Sequence, residues 1–419
     1  MRTASADLHT TFTVSADLYR RSPVSQMAKK KDPAFSDGYG LALDYLIVGR
    51  TDLMPVLPAS LGSSGKGASW SSNATGTGIR LGTTAPEKDL PSAGARIAAD
   101  AEQLNALVGD LLGGMILPSG GHPFALASDA GSTGNGIRAQ LFESMSTGQL
   151  WTSGATVEVP FGDEQGFGRS HTAVRMVLPL IPAISAASPF LEGKRAPALS
   201  ARLVAMIEGT PGIPELTGSF IPEVALDQAD YYRIVLEPIA RALAERDLAE
   251  RIDYHSVNQR AAVPSFDRGT IALNVADTQE CPSADAAVAE MTVAVINAMK
   301  DGRWVSNYLQ RAWHENDLLA ILKDVAGKGS EAVITNRDFL LMFGKMRESA
   351  TAGELWRHLY QQLRDGLSEP TRIRIAHILD QGSLAQRILR RTGERPSRER
   401  LIEVYRELAS CLEEDRQFI

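Results

Sequence analysis

Two glycine-rich stretches come close to phosphate-binding motifs, and neither has the spacing that the chemistry requires. A phosphate loop needs backbone N–H groups and a lysine in the order GxxxxGK[ST]. Around Lys66 the text SLGSSGKG has Ser60 at the place of the first glycine and Gly67 at the place of the Ser or Thr. In GTGIRLG, residues 76–82, Leu81 occupies the place of the third glycine of a dinucleotide fingerprint. These motifs therefore predict no nucleotide site.

Nucleophilic and metal-dependent hydrolysis also lack a local signature. No GxSxG nucleophile elbow occurs, although a Ser/His/Asp triad assembled from scattered residues stays open. The seven histidines are dispersed, without HExxH or another paired spacing, which favours surface or core histidines over metal ligands. The residues that could bind phosphate, act as nucleophiles or ligate metals thus leave the activity open when taken alone.

The bulk composition limits the partners. The chain has 419 residues, 44% hydrophobic and 22% charged, with a net charge of −7. Because phosphate backbones require a basic face, we expect no nucleic-acid partner. No apolar run approaches the ~18 residues of a membrane span, and no apolar secretory core is present. Only Cys281 and Cys411 occur, which fits a reducing compartment, so we expect a soluble cytoplasmic protein without membrane partners.

Hydrophobic patterning predicts strands first and helices last. We expect strands near 41–48, 154–161 and 270–277. A helix should begin after Pro91, with Ser92 as its N-cap, and should stop at Gly113-Gly114. Further helices are expected over 171–187 and 226–250. From residue 284 onward the sequence pattern predicts helices to the end of the chain, with a capping box at Thr351-x-x-Glu354. Runs of strands followed by runs of helices indicate an α+β fold rather than a doubly wound parallel sheet.

The same patterning predicts how the chain is organised. Residues 1–36 are polar and are expected to form a flexible extension, although the basic run at residues 29–31 leaves a docking tail as an alternative. Residues 37–285 should form the sheet domain. Residues 286–419 should form a helical C-terminal region packed on that same domain.

Several long stretches resemble the bacterial glutamate–cysteine ligases of type 2, a family of carboxylate–amine ligases. The match runs in order from about residue 38 to the end of the chain. Its most specific parts are LPSGGHPF (117–124), the run VPFGDEQGFGRSH to SPFLEG (159–193), ADYYRIVLEPIARAL (229–243), FDRGTIALNVADTQECPSAD (266–285) and TAGELWRHL (351–359).

This resemblance implies a glutamine-synthetase-like curved antiparallel sheet with helices outside and the active site in its concavity. It also implies ATP-dependent amide formation, in which a carboxylate is phosphorylated and an amine attacks the acyl phosphate. Such chemistry depends on Mg²⁺ held by carboxylates, together with basic residues on the phosphates. ATP and Mg²⁺ are therefore the cofactors expected if the chain is active, and none is expected if it is not.

The acidic positions of the family are where this sequence departs. The family's first strand reads roughly GIELEYMIV, and here Ala42 replaces the first glutamate while Asp44 shortens the second. In the next acidic stretch, Asn73 and Arg80 stand at two glutamate positions. Where the family pattern reads IEIRVLD, this chain reads IALNVAD over residues 271–277. That change places Ala272 at a metal-binding glutamate and Asn274 at a phosphate-facing arginine.

Further departures lie in the strand that resembles QSVHLNLPF and in the segment that resembles DNRLE. Thr156 stands at the family's histidine and Glu158 at its asparagine, while Arg202 survives beside Ala201. Side chains alternate along a strand, so the replaced groups fall on the face that the family pattern turns into the cleft.

The residues that could still act in this cleft are few. Asp44, Asn73, Arg80, Glu158, Arg260 and Asn274 are the cleft candidates, with Asp44 and Glu158 as the remaining metal-binding candidates. His122, Arg202 and Arg268 are candidates for binding a substrate or nucleotide. Asp267, Arg268 and Asp277 fit structural ion pairs at strand ends equally well.

Three hypotheses follow from the pattern. The first is an inactive ligase-like protein or partner subunit. Its basis is that the segments expected to form the scaffold still resemble the family sequence, whereas the acidic cleft positions are replaced. The second is an active ligase with a rewired site, in which Arg80 supplies positive charge in place of a metal. The third is an ordinary ligase misaligned over residues 40–85. Possible partners are an active ligase paralogue, bound through the C-terminal helical region, or a second copy of this chain.

Overall fold

Strand β1, Gly40–Gly49, is the central strand of the main sheet. This computed structural model describes residues 38–61, 70–130, 146–209 and 212–419. The polar N-terminal extension predicted over residues 1–36 lies outside this described part, as does Lys66. Burial along β1 alternates around Ala42 and Asp44, whereas Leu46, Ile47 and Val48 are all buried.

Eight strands of the described residues pair in one sheet, and every pairing is antiparallel. Along the main path the order is β3-β4-β1-β6-β10-β9, while β2 and β5 pair with the far end of β1. The strands after β1 are β2 (Pro55–Val56), β3 (Trp70–Ser72), β4 (Gly78–Gly82), β5 (Gly114–Leu117), β6 (Ala155–Pro160), β9 (Ala262–Ser265) and β10 (Thr270–Leu273).

The three strands expected near 41–48, 154–161 and 270–277 are neighbours in this sheet, although the third one ends already at Leu273. Strand β6 pairs with β1 on one side and with β10 on the other. The expected α+β class is therefore confirmed. Two short hairpins stand apart from the sheet: β7 (Phe190–Leu191) with β8 (Lys194–Arg195), and β11 (Val333–Ile334) with β12 (Ala350–Thr351).

Helix α1, Leu90–Leu112, begins earlier than the sequence analysis predicted. Asp89 is its N-cap, and the Asp89 carboxylate accepts a hydrogen bond from the backbone N–H of Ser92. The prediction of Ser92 as the cap was wrong because a proline is well tolerated within the first turn, so Pro91 does not mark the boundary. Gly113, at φ 59°, ends the helix as expected, in a conformation that glycine adopts without strain.

The helix predicted over 171–187 is broken into pieces. Helix α3, Glu164–Val177, starts at the Asp163 cap, and a 3₁₀ turn Leu178–Leu180 leads to α4, Pro182–Ser185. Prolines 179 and 182 lack the N–H groups that one continuous helix would need, which explains the interruption. Before these, α2 covers Thr147–Leu150.

The helix predicted over 226–250 is likewise composite. It comprises α6 (Gln228–Tyr231), a π-helical turn (Tyr232–Leu236) and α7 (Glu237–Ala244), and it follows α5 (Ala201–Glu208). The remaining helices are α8 (Pro282–Lys300), α9 (Asn307–Arg311), α10 (Glu315–Lys328), α11 (Arg337–Met342), α12 (Ala352–Leu363), α13 (Glu369–Gln381), α14 (Leu384–Thr392) and α15 (Arg398–Glu413).

The capping box predicted at the start of α12 is confirmed. The Thr351 hydroxyl accepts from the Glu354 N–H at 3.1 Å, and the Glu354 carboxylate accepts from the Thr351 N–H at 2.8 Å. The apolar face of α12 is buried in the main core, where Trp356 also donates to the Leu180 carbonyl at 2.7 Å.

Two cores cover opposite faces of the sheet. The main core lies under Leu41, Leu43 and Tyr45 of β1 and includes α1, α8 and α12. A second core packs α14 and α15 against Leu46 and Val48, on the face that carries Ala42 and Asp44 farther along β1. The second core therefore covers this face of the sheet near Leu46 and Val48, and the face is lined by polar groups near Ala42 and Asp44. Among the described residues, no helix has the length and apolar character needed to cross a membrane.

Candidate functional site

Strand register assembles the predicted cleft on one face of the sheet. Ala42 on β1 lies opposite Gly82 on β4 and Thr156 on β6. Two residues farther along β1, Asp44 lies opposite Arg80 on β4. Because side chains alternate, these groups share the face away from the main core.

A second row continues across β6 and β10. Glu158 lies between Gly40 of β1 and Ala272 of β10. Thr156 donates its hydroxyl hydrogen to the Asn274 side-chain carbonyl at 3.0 Å, which ties the strand ends together. The sequence prediction that the replaced positions share one surface is therefore matched by the observed register.

Two adjoining cavities open on this face. Cavity A has a volume of about 300 Å³ and cavity B of about 330 Å³. Arg80 and Thr156 line both, so these two side chains stand at the junction. Cavity A is also lined by Asp44, Asn73, Arg202, Arg260 and Asn274, and cavity B by Glu158 and Arg268.

Asp44 and Arg80 form an ion pair at this junction. Arg80 Nη1 lies 3.1 Å from Asp44 Oδ1, and the two side chains are 35% and 20% exposed. Burial raises the pKa of the Asp44 carboxyl above its usual value, and the neighbouring Arg80 charge opposes that rise. The pair is thus a partly dehydrated salt bridge between adjacent strands.

Glu158 and Arg268 form the second pair. Arg268 Nη2 lies 2.7 Å from Glu158 Oε2. Burial raises the pKa of the Glu158 carboxyl, and the Arg268 and Arg80 charges act in the opposite direction. Each carboxylate that remains on the cleft face is therefore neutralised by its own arginine.

This donor set does not fit Mg²⁺. The ion requires near-octahedral oxygen ligands, usually from several carboxylates and waters. Across the described ranges, no group of three or more His, Cys, Asp or Glu residues is placed to hold a metal. Ala42 and Ala272 offer only methyl groups at the two central positions of the face.

Arg202 lines cavity A, but its guanidinium is engaged inside the protein. Its Nε contacts Asp277 Oδ1 at 2.7 Å, and Nη2 donates to the backbone carbonyls of residues 274, 275 and 276. Asp277 also accepts from the Ala187 N–H and from the hydroxyls of Ser188 and Ser200. Arg202 therefore shapes the cavity wall, and Asp277 has the structural ion pair that the sequence allowed.

Arg260 is similarly committed. Its Nε and Nη2 bind the two carboxylate oxygens of Glu223 at 2.6 and 2.7 Å. Its Nη1 donates to the Glu215 carbonyl and the Asn258 side chain, both at 3.3 Å. A bidentate pair of this kind fixes the guanidinium plane, so Arg260 supports the wall rather than reaching into the cavity.

Asn73 holds the turn between β3 and β4. Its side-chain carbonyl accepts the N–H groups of Thr77 and Gly78, both at 3.1 Å, and the Thr75 hydroxyl at the same distance. An asparagine that organises a turn in this way positions the neighbouring cavity residues.

His122 lies outside the linings of both cavities. Its Nδ1 accepts the N–H groups of Phe124 and Ala125 at 3.0 and 2.9 Å, and its ring packs edge-on against Trp151. Burial lowers the pKa of His122 to about 3, so the ring is neutral at physiological pH. We therefore do not place His122 in the site.

Sequence reasoning missed several neutral polar residues of cavity A. They come from the β3–β4 turn, from α2 and its C-terminus, and from the segment around the 3₁₀ turn Tyr254–Val257. These residues are Thr75, Gln149, Thr152, Ser256, Asn258 and Gln259. Isolated Thr, Asn and Gln residues carry no spacing signal, so only the fold could bring them together.

Comparison with known proteins agrees with this architecture. A family model described as glutamate–cysteine ligase family 2 matches residues 82–407. An uncharacterized protein of Archaeoglobus fulgidus is 26% identical over 324 residues, which cover 76% of this chain and 80% of that protein.

Solved ligase structures share the fold at low sequence identity. A glutamate–cysteine ligase from Francisella tularensis, solved in complex with AMP, has a TM-score of 0.61 at 13% identity, covering 89% of this chain and 88% of that one. A bifunctional glutathione synthetase from Pasteurella multocida has a TM-score of 0.56 at 13% identity, covering 90% of this chain and 53% of that one. The expected glutamine-synthetase-like fold is therefore confirmed.

Proposed function

Because the chain belongs to the glutamate–cysteine ligase family 2, we propose that it is a ligase-like protein that has kept the cleft as a binding site and has lost the Mg²⁺- and ATP-dependent reaction. One observation carries the proposal. The two carboxylates left on the cleft face, Asp44 and Glu158, are each paired with an arginine instead of facing a common point.

The energetic argument follows from the chemistry of phosphoryl transfer. The reaction depends on positioned cations that neutralise the developing charge. Loss of a single hydrogen-bond donor to such a charge already costs about 3–4 kcal/mol in the transition state. Four positions where the family resemblance places glutamates hold Ala42, Asn73, Arg80 and Ala272. Losses of this number and kind remove ordinary turnover.

Calorimetry and a turnover assay test the proposal together. The full chain is titrated with ATP in the presence and absence of Mg²⁺, and γ-glutamyl amide formation is measured with cysteine and with other amines. We expect no Mg²⁺-dependent ATP binding in the micromolar range and no ATP-dependent product. An active ligase of the same family serves as the positive control. Micromolar Mg²⁺-dependent binding together with turnover would refute the proposal.

A restoring variant sharpens this test. Ala42→Glu combined with Ala272→Glu and Arg80→Glu returns carboxylates to three positions of the cleft face, on strands β1, β10 and β4. If lost ligands explain the inactivity, this variant gains Mg²⁺ affinity over the parent chain. A matched variant with Gln at the same three positions has similar volume and should gain none.

An active enzyme with rewired chemistry is the second candidate. Burial raises the pKa of both the Asp44 and Glu158 carboxyls, a property of groups that exchange protons in active sites. In that case the chain would form amides from ATP without the family's metal site, and Asp44→Asn would abolish the product. The turnover assay above separates this candidate from the first.

We further propose that the protein acts in the cytoplasm beside an active ligase, as a partner subunit. The basis is the intact scaffold, together with two cysteines that are free and buried. Within the C-terminal helical region, the apolar residues Leu355, Trp356 and Leu359 of α12 are buried in the chain's own core, so a partner would use other surfaces of that region. Affinity purification from the native cell should recover a catalytically complete ligase in stoichiometric amount. Recovery of the lone monomer would count against the partnership.

A further inference from the structure

Arg80 differs from the other arginines of cavity A in how its guanidinium is used. The Arg202 and Arg260 guanidiniums bind carboxylates and backbone carbonyls inside the protein. Within the described ranges, Arg80 makes a single side-chain hydrogen bond, from Nη1 to Asp44. Its side chain is 35% exposed, and it lies where cavities A and B meet.

Asn274 provides a second donor in the same cavity. Its side-chain carbonyl accepts from Thr156, which leaves its NH₂ group as a donor at the wall of cavity A. Cavity A is thus lined by a charged donor, the Arg80 guanidinium, and by a neutral donor, the Asn274 amide.

The Asp44–Arg80 pair permits a ligand to enter. Ion pairs that keep partial contact with water contribute little to stability, so Arg80 can take a second anionic partner without a large loss. Asp44 then lies beside the incoming anion and repels it, so Asp44 should limit the affinity that Arg80 provides.

From this arrangement we propose that Arg80 binds the anionic group of a small ligand in cavity A directly, without a divalent cation. The volume of about 300 Å³ lies at the lower end of the range found for ligand-binding cavities, which suits a compact ligand. The anionic group is a carboxylate or a phosphate, since the planar fork of arginine hydrogen-bonds to both. The inference rests on the proposed loss of metal chemistry at this site.

Titration of the full chain with two probes, inorganic phosphate and glycolate, tests the inference. Each probe is titrated by calorimetry in EDTA and again with Mg²⁺, to millimolar concentration. We expect saturable binding of at least one probe in EDTA, unchanged by Mg²⁺. The better probe then identifies the anionic group. No binding of either probe, or binding that requires Mg²⁺, would overturn the inference.

Two substitutions should change the affinity in opposite directions. Arg80→Gln removes the charged donor and should weaken binding by about ten-fold or more. Asp44→Asn removes the repelling charge and should tighten binding by roughly three-fold or more. A purely structural ion pair would give no binding change of opposite sign in the two variants.

Controls separate Arg80 from general surface charge. Arg195→Gln removes an arginine of an exposed pair with Glu394, outside both cavity linings, and should leave the affinity unchanged. Arg80→Lys keeps the charge but loses the planar fork, so it should weaken binding less than Arg80→Gln and also covers the case in which Arg80→Gln unfolds. Equal weakening by Arg268→Gln would place the anion in cavity B and overturn the assignment.

This outcome is distinguishable from failure of the proposed function. Mg²⁺-dependent ligase turnover would refute the loss of chemistry even if Arg80 bound both probes. Absence of probe binding would refute the role of Arg80 even if the chain were inactive.

Discussion

The Arg202–Asp277 pair provides the sharpest test of how the cavity wall is held. The Arg202 side chain is 6% exposed and that of Asp277 is fully buried, and their contact measures 2.7 Å. Asp277→Asn removes the negative charge with almost no change in volume. It leaves the Arg202 guanidinium buried beside a neutral amide.

The expected cost follows from burial. Removing one partner of a buried, hydrogen-bonded ion pair costs about 3–5 kcal/mol, because the other charge stays desolvated without compensation. Asp277 also accepts three hydrogen bonds from Ala187, Ser188 and Ser200, which the asparagine can only partly retain. We therefore expect the free energy of unfolding to fall by about 3–5 kcal/mol.

Urea unfolding, followed by fluorescence and circular dichroism, measures this change. Glu394→Gln in the exposed pair with Arg195 is the matched control, and it should cost less than about 1 kcal/mol. If Asp277→Asn cost no more than this control, the pair would not hold the wall. The structural role assigned to Arg202 would then be wrong.

Two further predictions concern a glycine and the buried histidines. A Cβ at Gly154 would lie 2.6 Å from Arg202 Nη1, so Gly154→Ala should destabilise by about 1–3 kcal/mol in urea unfolding. Gly327→Ala, in α10 with nothing within 4 Å of the new Cβ, should be neutral or stabilising by up to about 1 kcal/mol. Equal effects of these two substitutions would contradict the close approach at Gly154. Burial lowers the pKa of both His122 and His171 to about 3 from 6.5, so the unfolded chain binds more protons between these values. Stability should therefore fall as pH drops through this window, by about 1.4 kcal/mol per pH unit per histidine. Urea melts of the His122→Gln, His171→Gln double variant should show a flatter pH dependence, and an unchanged slope would contradict the buried, neutral assignment.

The sequence alone determined the fold class and the content of the cleft face. Alternation over residues 41–45 of β1 and along β6 and β10 sets which residues share a face, because the side-chain period of a strand is two. The resemblance to the ligase family, applied to these strands, further implied that Ala42 and Ala272 stand at glutamate positions. The Thr351–Glu354 capping box was readable as well, since both partners lie within one helical turn.

Only the tertiary structure decided which charged groups remain available. Asp44 and Arg80 are 36 residues apart, and Arg202 and Asp277 are 75 apart, so sequence spacing could not show that each has a partner. The start of α1 and the breaks after α3 were misjudged for a local reason, because proline is accepted in a first turn but interrupts a helix interior. His122 carried the residue type of a binding group, yet packing against Trp151 and two backbone N–H groups make it part of the interior. Contacts between distant segments decide whether a polar residue supports the fold or faces a ligand.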